Sequence, residues 1–275
     1  MRPLSTVACA CITAALLSAV PGAPTRAQDA ATAAPPPDMV LVPAGEFTMG
    51  SSGKALDEDK AEAPENKLTL PDFFMDKCEV TTAQYVQFLN AVKATKDTAG
   101  RNYLGLPQYL SIEQVNDEWK PKSGKEKFPM ANVTWYGATA YAQWAGKRLP
   151  TEAEWEKAAR GPDGRKFPWG ADLDSKKMSF GQDRIVAVGS YPDGASPCGC
   201  LDMAGNVWEW TSSLFMPLPY VAADGREDAN SAERRVAKGG SWTGEPHIAH
   251  AAARFRPFPD FAHTYLGFRC AKSAP

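Results

Sequence analysis

Pro150-Thr-Glu-Ala-Glu-Trp-Glu-Lys-Ala-Ala-Arg-Gly161 is the stretch on which the fold reading turns. Thr151 followed three residues later by Glu154 is a capping box. The threonine hydroxyl accepts the amide of the third helical residue, and the glutamate reaches back to the cap amide. The pattern predicts a helix that carries Trp155 and Ala158 and stops at Gly161, a residue type that ends helices. Past Gly161 the texture changes. Gly, Pro and aromatic residues recur and apolar runs are short, which makes loops and brief strands. Two more helices are predicted before it. Thr82 is read as the cap of one with Tyr85, Phe88, Leu89 and Val92 on a single face, and Thr134 as the cap of another with Tyr141, Trp144 and Ala145. Residues 39–50 read as two short strands about a turn at 43–45, residues 51–66 as a polar acidic loop, and residues 73–80 as a strand. Residues 95–127 are polar with scattered aromatics and read as an insertion loop. Helices early, irregular sheet-bearing chain late and no internal repeat define an α+β fold class with much irregular structure.

The chain has 275 residues, 44% hydrophobic and 23% charged, enough apolar material for a real core. Residues 1–27 read as a secretory signal peptide. Met1 and Arg2 give a positive start, residues 4–20 are apolar or small, and Thr25-Arg-Ala27 supplies the small residues of a cleavage site. Pro21 and Pro24 interrupt the run, against a retained anchor, and Cys9 lies too early for a lipoprotein site. Residues 28–37 read as a flexible linker, and residues 38–275 as one domain. The expected location is periplasmic or secreted, with no membrane segment left after processing. The formal net charge is −2 and becomes more negative when Arg2 and Arg26 leave with the signal. No basic run exists to attract nucleic acid or anionic lipid, so those partners are excluded. The domain keeps Cys78, Cys198, Cys200 and Cys270. An oxidising compartment makes a disulfide reasonable. A bridge between Cys198 and Cys200 is strained by their spacing, which favours Cys78–Cys270; the alternative is four small buried hydrophobes.

Several phrases then point to one family. They are Glu79-Val-Thr-Thr-Ala-Gln-Tyr85, Phe128-Pro-Met-Ala-Asn-Val-Thr-Trp135, Trp144-Ala-Gly-Lys-Arg-Leu-Pro-Thr-Glu-Ala-Glu-Trp155, Phe167-Pro-Trp-Gly170, Leu201-Asp-Met-Ala-Gly-Asn-Val-Trp-Glu-Trp210, Lys238-Gly-Gly-Ser-Trp242 and Leu266-Gly-Phe-Arg-Cys270. With residues 39–50, and in this order, they resemble the formylglycine-generating enzymes, or sulfatase-modifying factor domains, over roughly residues 38–272. The resemblance implies a variant of the C-type-lectin-like fold and structural calcium. Asp202, Gly205, Val207 and Glu209 match a calcium site of the family, with two carboxylates and two carbonyls in a tight turn. The other reading is that the two acids satisfy loop amides. Ser179 and Phe180 match a second site only loosely. Trp208 and Trp210 are read as core rather than as a binding platform.

Formylglycine-generating enzymes oxidise a client cysteine to an aldehyde at a copper(I) ion held by two cysteines. The matching positions are Gly244 and Ala249, neither of which can ligate, so that mechanism does not carry over. The same segment holds His247 and His250, with Glu245 and the more distant His263. These could supply an imidazole–carboxylate metal site for copper or iron, or a general base, though the spacing fits no strict zinc signature. Cys198 and Cys200 are the other soft pair, for copper(I), for redox exchange or simply for packing. Trp242, Arg254 and Arg256 come from the segment that lines the family's groove and would suit a carboxylate or an extended peptide. Alternatively, the arginines pair with acids such as Asp260. Two functional readings follow: an accessory, maturation or binding protein whose groove takes a peptide, a protein client or a small molecule, or a periplasmic oxidoreductase working through a non-cysteine site. Some oxidases of the family act on small molecules or siderophore precursors, and those with histidine-bound iron draw its ligands mainly from an extra helical domain, for which this chain has no room.

Overall fold

In the computed structural model, which describes residues 34–53, 60–181 and 184–275, the capped helix is the centre of the domain. The signal-peptide reading of residues 1–27, and the first part of the linker reading of 28–37, lie outside the described residues. The central helix, α3, runs Glu152–Arg160. The Thr151 hydroxyl accepts from the Glu154 amide at 3.1 Å, and the Thr151 amide donates to the Glu154 carboxylate at 2.9 Å. Every residue of α3 is buried, including Glu152, Glu156, Lys157 and Arg160. Five charges in a buried helix, Glu154 being the fifth, demand partners, and each has one. Glu152 meets Arg254 at 2.7 Å and Glu154 meets Arg148 at 2.6 Å. Arg160 meets Glu156 at 2.8 Å, and Lys238 meets the other Glu156 oxygen at 3.0 Å. The Gly50 amide donates to Glu156 at 2.7 Å, and Lys157 donates to the Gly45 carbonyl at 2.9 Å. Burial alone would raise the Glu156 carboxyl; Lys238 and Arg160 outweigh it and hold it below its ordinary range.

Short strands surround this helix. β1 (Met39–Val42) and β10 (Ala271–Ser273) flank β4 (Phe73–Asp76), all antiparallel. β2 (Gly45–Met49) pairs β3 (Asn66–Leu70). β8 (Arg235–Lys238) lies antiparallel and β9 (Leu266–Gly267) parallel to β7 (Trp208–Leu214). Helices α1 (Thr82–Val92) and α2 (Trp135–Trp144) pack on the largest apolar cluster. There Tyr85 stacks on Tyr141 at 5.6 Å, and Phe268 meets Tyr141 edge-on at 5.4 Å. Trp155, Val42, Phe73 and Met75 form a second cluster. Trp208 and Trp210 are 8% and 0% exposed, so both are core.

The α+β architecture, rich in irregular chain, is the one expected. Three local readings are corrected. The cap of α1 is Thr81, one residue early, in a capping box with Gln84; Thr82 is buried, and its hydroxyl donates instead to the Lys125 carbonyl. The strand expected over 73–80 ends at Asp76, because the Lys77 amide turns to the Asp38 carbonyl and the Val80 amide to Phe268. The 95–127 insertion is not all loop: β5 (Ile112–Val115) and β6 (Glu118–Pro121) form a hairpin, with Asn116 and Asp117 at positive φ in its turn.

One ion pair joins most of these parts. Arg269, between β9 and β10, is 0% exposed. It donates to both oxygens of Glu209 in β7 at 2.6 and 2.7 Å, and to the carbonyls of Asp76, Lys77 and Leu201. The Trp155 indole adds a third donor on Glu209 at 2.7 Å. Replacing Arg269 by Met should strand a buried carboxylate and cost ~3–5 kcal/mol in urea unfolding. The double replacement Arg269→Met with Glu209→Leu should recover much of that loss. A double variant no more stable than the single one would refute the account.

Candidate functional site

The segment after β8 was expected to carry the chemistry. Gly239, Gly240 and Gly244 all adopt positive φ, and a side chain on Gly240 would come within 2.7 Å of the Ala249 Cα. Ala249 is fully buried, in a small cluster with Met178 and Ala204. Of the positions that the resemblance pairs with the copper cysteines, Gly244 is a glycine at positive φ against the Ile248 side chain, and Ala249 is a packed methyl group. Neither offers a ligand.

The histidines do not converge. His250 is 2% exposed and used at both nitrogens: Nδ1 lies 2.6 Å from the His247 carbonyl, and Nε2 lies 2.7 Å from Glu62, itself buried. It fastens the turn Pro246–Ala249 to Lys60–Glu62, and its reading as a base or metal ligand is corrected accordingly. His247 is partly exposed and Glu245 exposed. His263 sits elsewhere, between Phe261 and Tyr265, with ring centroids at 6.2 and 3.9 Å. Among the described residues, no group of three or more His, Cys, Asp or Glu side chains is arranged to hold a metal.

Arg254 is corrected too. It is 7% exposed and ion-paired to the fully buried Glu152 of α3 at 2.7 Å. It also donates to the Ala61 and Met216 carbonyls. That is a strut rather than a substrate clamp, and its partner is Glu152 rather than Asp260. Arg256 is exposed beside Phe215. Trp242 is partly buried, with its indole nitrogen unpartnered. All four domain cysteines are free thiols, so the expected Cys78–Cys270 bridge is absent. Cys78 lies beside Gly189, whereas Cys270 belongs to the aromatic cluster.

In the acidic turn read as a calcium site, the side chains meet protein partners. Asp202, Gly205 and Asn206 are left-handed there, and a side chain at Gly205 would lie 2.4 Å from the Ser179 carbonyl. The Ser179 carbonyl itself accepts the Asn206 amide at 2.9 Å. Both oxygens of Glu209 accept from Arg269, and one of them also accepts from the Trp155 indole. Asp202 accepts the Gly189 amide at 2.5 Å and faces Glu79. Glu79 is 2% exposed, accepts from Asn206 on one oxygen at 2.9 Å, and leaves the other oxygen with no conventional partner. Burial, then the Asp202 charge, push the Glu79 carboxyl well up. Both effects favour the protonated Glu79 carboxyl, which faces Asp202.

What the structure does present is a groove of about 1830 Å³ between the insertion and residues 254–262. Arg101 lies over Tyr136 at 4.3 Å and Arg234 over Phe258 at 4.0 Å. Arg256 and Phe255 line the same groove, whereas Trp242, Glu245, His247 and His250 do not. Leu106 and Phe258 on its border are 59% and 44% exposed. Of the expected binding residues only Arg254 and Arg256 border it, and only Arg256 is exposed. Arg101, Tyr136, Arg234 and Phe258 were missed. Their signal was the apolar and aromatic content of an otherwise polar insertion, together with the alternation Arg254-Phe-Arg-Pro-Phe-Pro259.

A mixed fold with three short α-helices among the described residues, minimal strands and this groove defines a domain type, and comparison with known proteins places it. The chain belongs to the family described as Sulfatase-modifying factor enzyme 1-like domain, matched over residues 25–274. It is 37% identical over 240 residues to the serine/threonine-protein kinase Pkn1 of Chlamydia trachomatis, covering 86% of this chain and 38% of that protein; it thus spans well under half of that relative's length. It is 32% identical over 287 residues to the formylglycine-generating enzyme of Bos taurus, covering 86% and 75% of the two chains. Among solved structures, PvdO from Pseudomonas aeruginosa superposes with a TM-score of 0.68 at 26% identity, covering 86% and 94%.

The Glu79–Asp202 pair makes a signed prediction. A carboxyl raised in the folded state stabilises fully below its unfolded value of about 4.5, and that contribution is lost as pH rises toward the folded value. Glu79→Gln keeps an acceptor for Asn206 and a donor for Asp202 without an ionisation to suppress. Its stability relative to the wild type should therefore rise steadily from pH 5 to pH 8 in urea titrations. A constant difference across that range would refute protonation of Glu79.

Proposed function

We propose that this chain is an exported recognition or accessory member of its family, which holds a client in the groove and does not run the copper oxidation. The observation that carries the reading is the state of positions 244 and 249. One is a glycine at positive φ and the other a buried methyl group, where the oxidation needs two thiolates. The histidines do not substitute, since His250 is spent on Glu62 and the His247 carbonyl.

The groove supports the binding half of the reading. Arg101, Arg234 and Arg256 are exposed at an opening walled by Tyr136, Phe255 and Phe258. Arg101 and Arg234 lie over aromatic faces and are fixed there, Arg101 by Asp97 and Arg234 by the Arg256 carbonyl. The planar guanidinium suits carboxylates on an extended or flexible client. Flat apolar neighbours then add area and exclude water. The class of ligand favoured is an acidic peptide or an acidic segment of a protein.

Fluorescence anisotropy with labelled acidic and basic peptides of equal length tests this. The acidic peptide should bind, and the double replacement Arg234→Glu with Arg256→Glu should weaken it by ~10-fold or more, with a lower salt dependence. Equal binding of both peptides, or no effect of the charge reversal, would sink the groove assignment. Separately, dioxygen uptake by copper(I)-loaded protein with a cysteine-containing peptide should stay at the buffer rate. Sustained uptake would overturn the non-oxidising half.

A further inference from the structure

Residues 196–200, Ser-Pro-Cys-Gly-Cys, play no part in the groove. They form a closed turn: the Ser196 amide donates to the Cys200 carbonyl at 2.8 Å, and the Gly199 amide to the Ser196 carbonyl at 2.9 Å. Gly199, at φ +91, makes the turn possible, and a Cβ there would meet nothing nearer than Val40 at 4.0 Å. The turn brings the Cys198 and Cys200 sulfurs to 3.6 Å. The two thiols are unlike. Cys200 is 0% exposed in the cluster around Trp155, whereas Cys198 is only partly buried. The Ser196 hydroxyl lies 3.2 Å from the Cys198 sulfur. The Ala158 carbonyl, 3.3 Å away, favours its protonated form, but the donors prevail.

We infer that Cys198 and Cys200 are a thiol–disulfide exchange pair, in which Cys198 attacks an external disulfide and Cys200 resolves the product. The first step forms a bond between Cys198 and one sulfur of the external disulfide; that disulfide's own bond breaks, and its other half leaves as a thiolate that takes up a proton. In the second step Cys200 gives up its proton to solvent and attacks Cys198. The second half of the external disulfide leaves, also to be protonated. Two cysteine thiols are thereby oxidised to one disulfide, and one external disulfide is reduced to two thiols. Run in reverse, the bridged form passes its disulfide to a dithiol client.

The asymmetry of the pair gives the order of attack. Hydrogen bonds from Cys200, opposed by burial but joined by Ser196 and the local amides, lower the Cys198 thiol to about 6. The hydrogen bond to Cys198, with burial, pushes Cys200 well up. The less buried thiol, favoured toward its thiolate, is the attacking member of such a pair, and the buried protonated thiol is the resolving one. A bridge across a single residue is strained and so opens readily, which suits exchange rather than permanent stapling. Cys78 lacks such an arrangement, and burial raises it to about 12.

The test is to reduce the full chain, incubate it with glutathione disulfide, quench with acid, alkylate and map the peptides by mass. The expected product is a Cys198–Cys200 link, reversed by dithiothreitol, with Cys78 and Cys270 left alkylated. Cys200→Ser should accumulate a glutathione adduct on Cys198, and Cys198→Ser should leave Cys200 unmodified. Circular dichroism checks that the variants fold; if they do not, the wild-type map alone decides. Persistence of both thiols, preferential attack at Cys78 or an adduct on Cys200 in Cys198→Ser would each overturn the inference.

Discussion

A guanidinium with no access to water holds this domain together. Arg269 directs all five of its N–H groups at protein oxygens, two to Glu209 and three to backbone carbonyls of residues 76, 77 and 201. Burial opposes the charges on both partners. Glu209 opposes the loss on Arg269, and Arg269 with the Trp155 indole opposes it on Glu209. Contacts of 2.6 and 2.7 Å are those of an ion pair. Such a pair tolerates little displacement, because the desolvation cost is offset only while every contact is made. Its geometry therefore sets where the end of β4, the start of β7 and the tail of the chain must lie.

The same logic extends through α3. A helix that is buried on all sides would ordinarily be apolar, yet this one carries Glu152, Glu156, Lys157 and Arg160. Glu154 meets Arg148, and the other glutamates are neutralised by Arg254, Lys238 and Arg160. Lys238 is 0% exposed and also donates to the Ala252 carbonyl at 2.9 Å. Chain with so little regular structure leaves many backbone carbonyls without ladder partners, and long cationic side chains satisfy them. The segment from Gly239 to Arg256 is pinned by these contacts rather than left open for chemistry.

This explains what could and could not be read from the sequence. Both capping boxes obey local rules, and α2 and α3 start where Thr134 and Thr151 place them. The early pair of strands, the aromatic core and the α+β class were legible for the same reason. For α1 two threonines stood in a row, and the choice of Thr81 over Thr82 depended on the distant Lys125 carbonyl. The roles of Arg254, His250 and Glu209 were not legible, because their partners Glu152, Glu62 and Arg269 lie far away in sequence. A histidine or arginine aimed at an active site and one bracing a loop look alike until the partner is known. One wall of the groove escaped notice because it is the 95–127 insertion, whose hairpin lacks strong alternation.

The position of Arg269 also decides when the domain can form. Its contacts at Asp76 and Lys77 span 193 and 192 residues of chain, and β10, which completes the first sheet, is nearly the last part of the polypeptide. Loops of that length must close before their contacts give any return. A ribosome-bound chain lacking its tail has Glu209 without its cation and β4 with an unpaired edge. Assembly of the first sheet and of the Glu209 site therefore waits until residues 269–273 have been made.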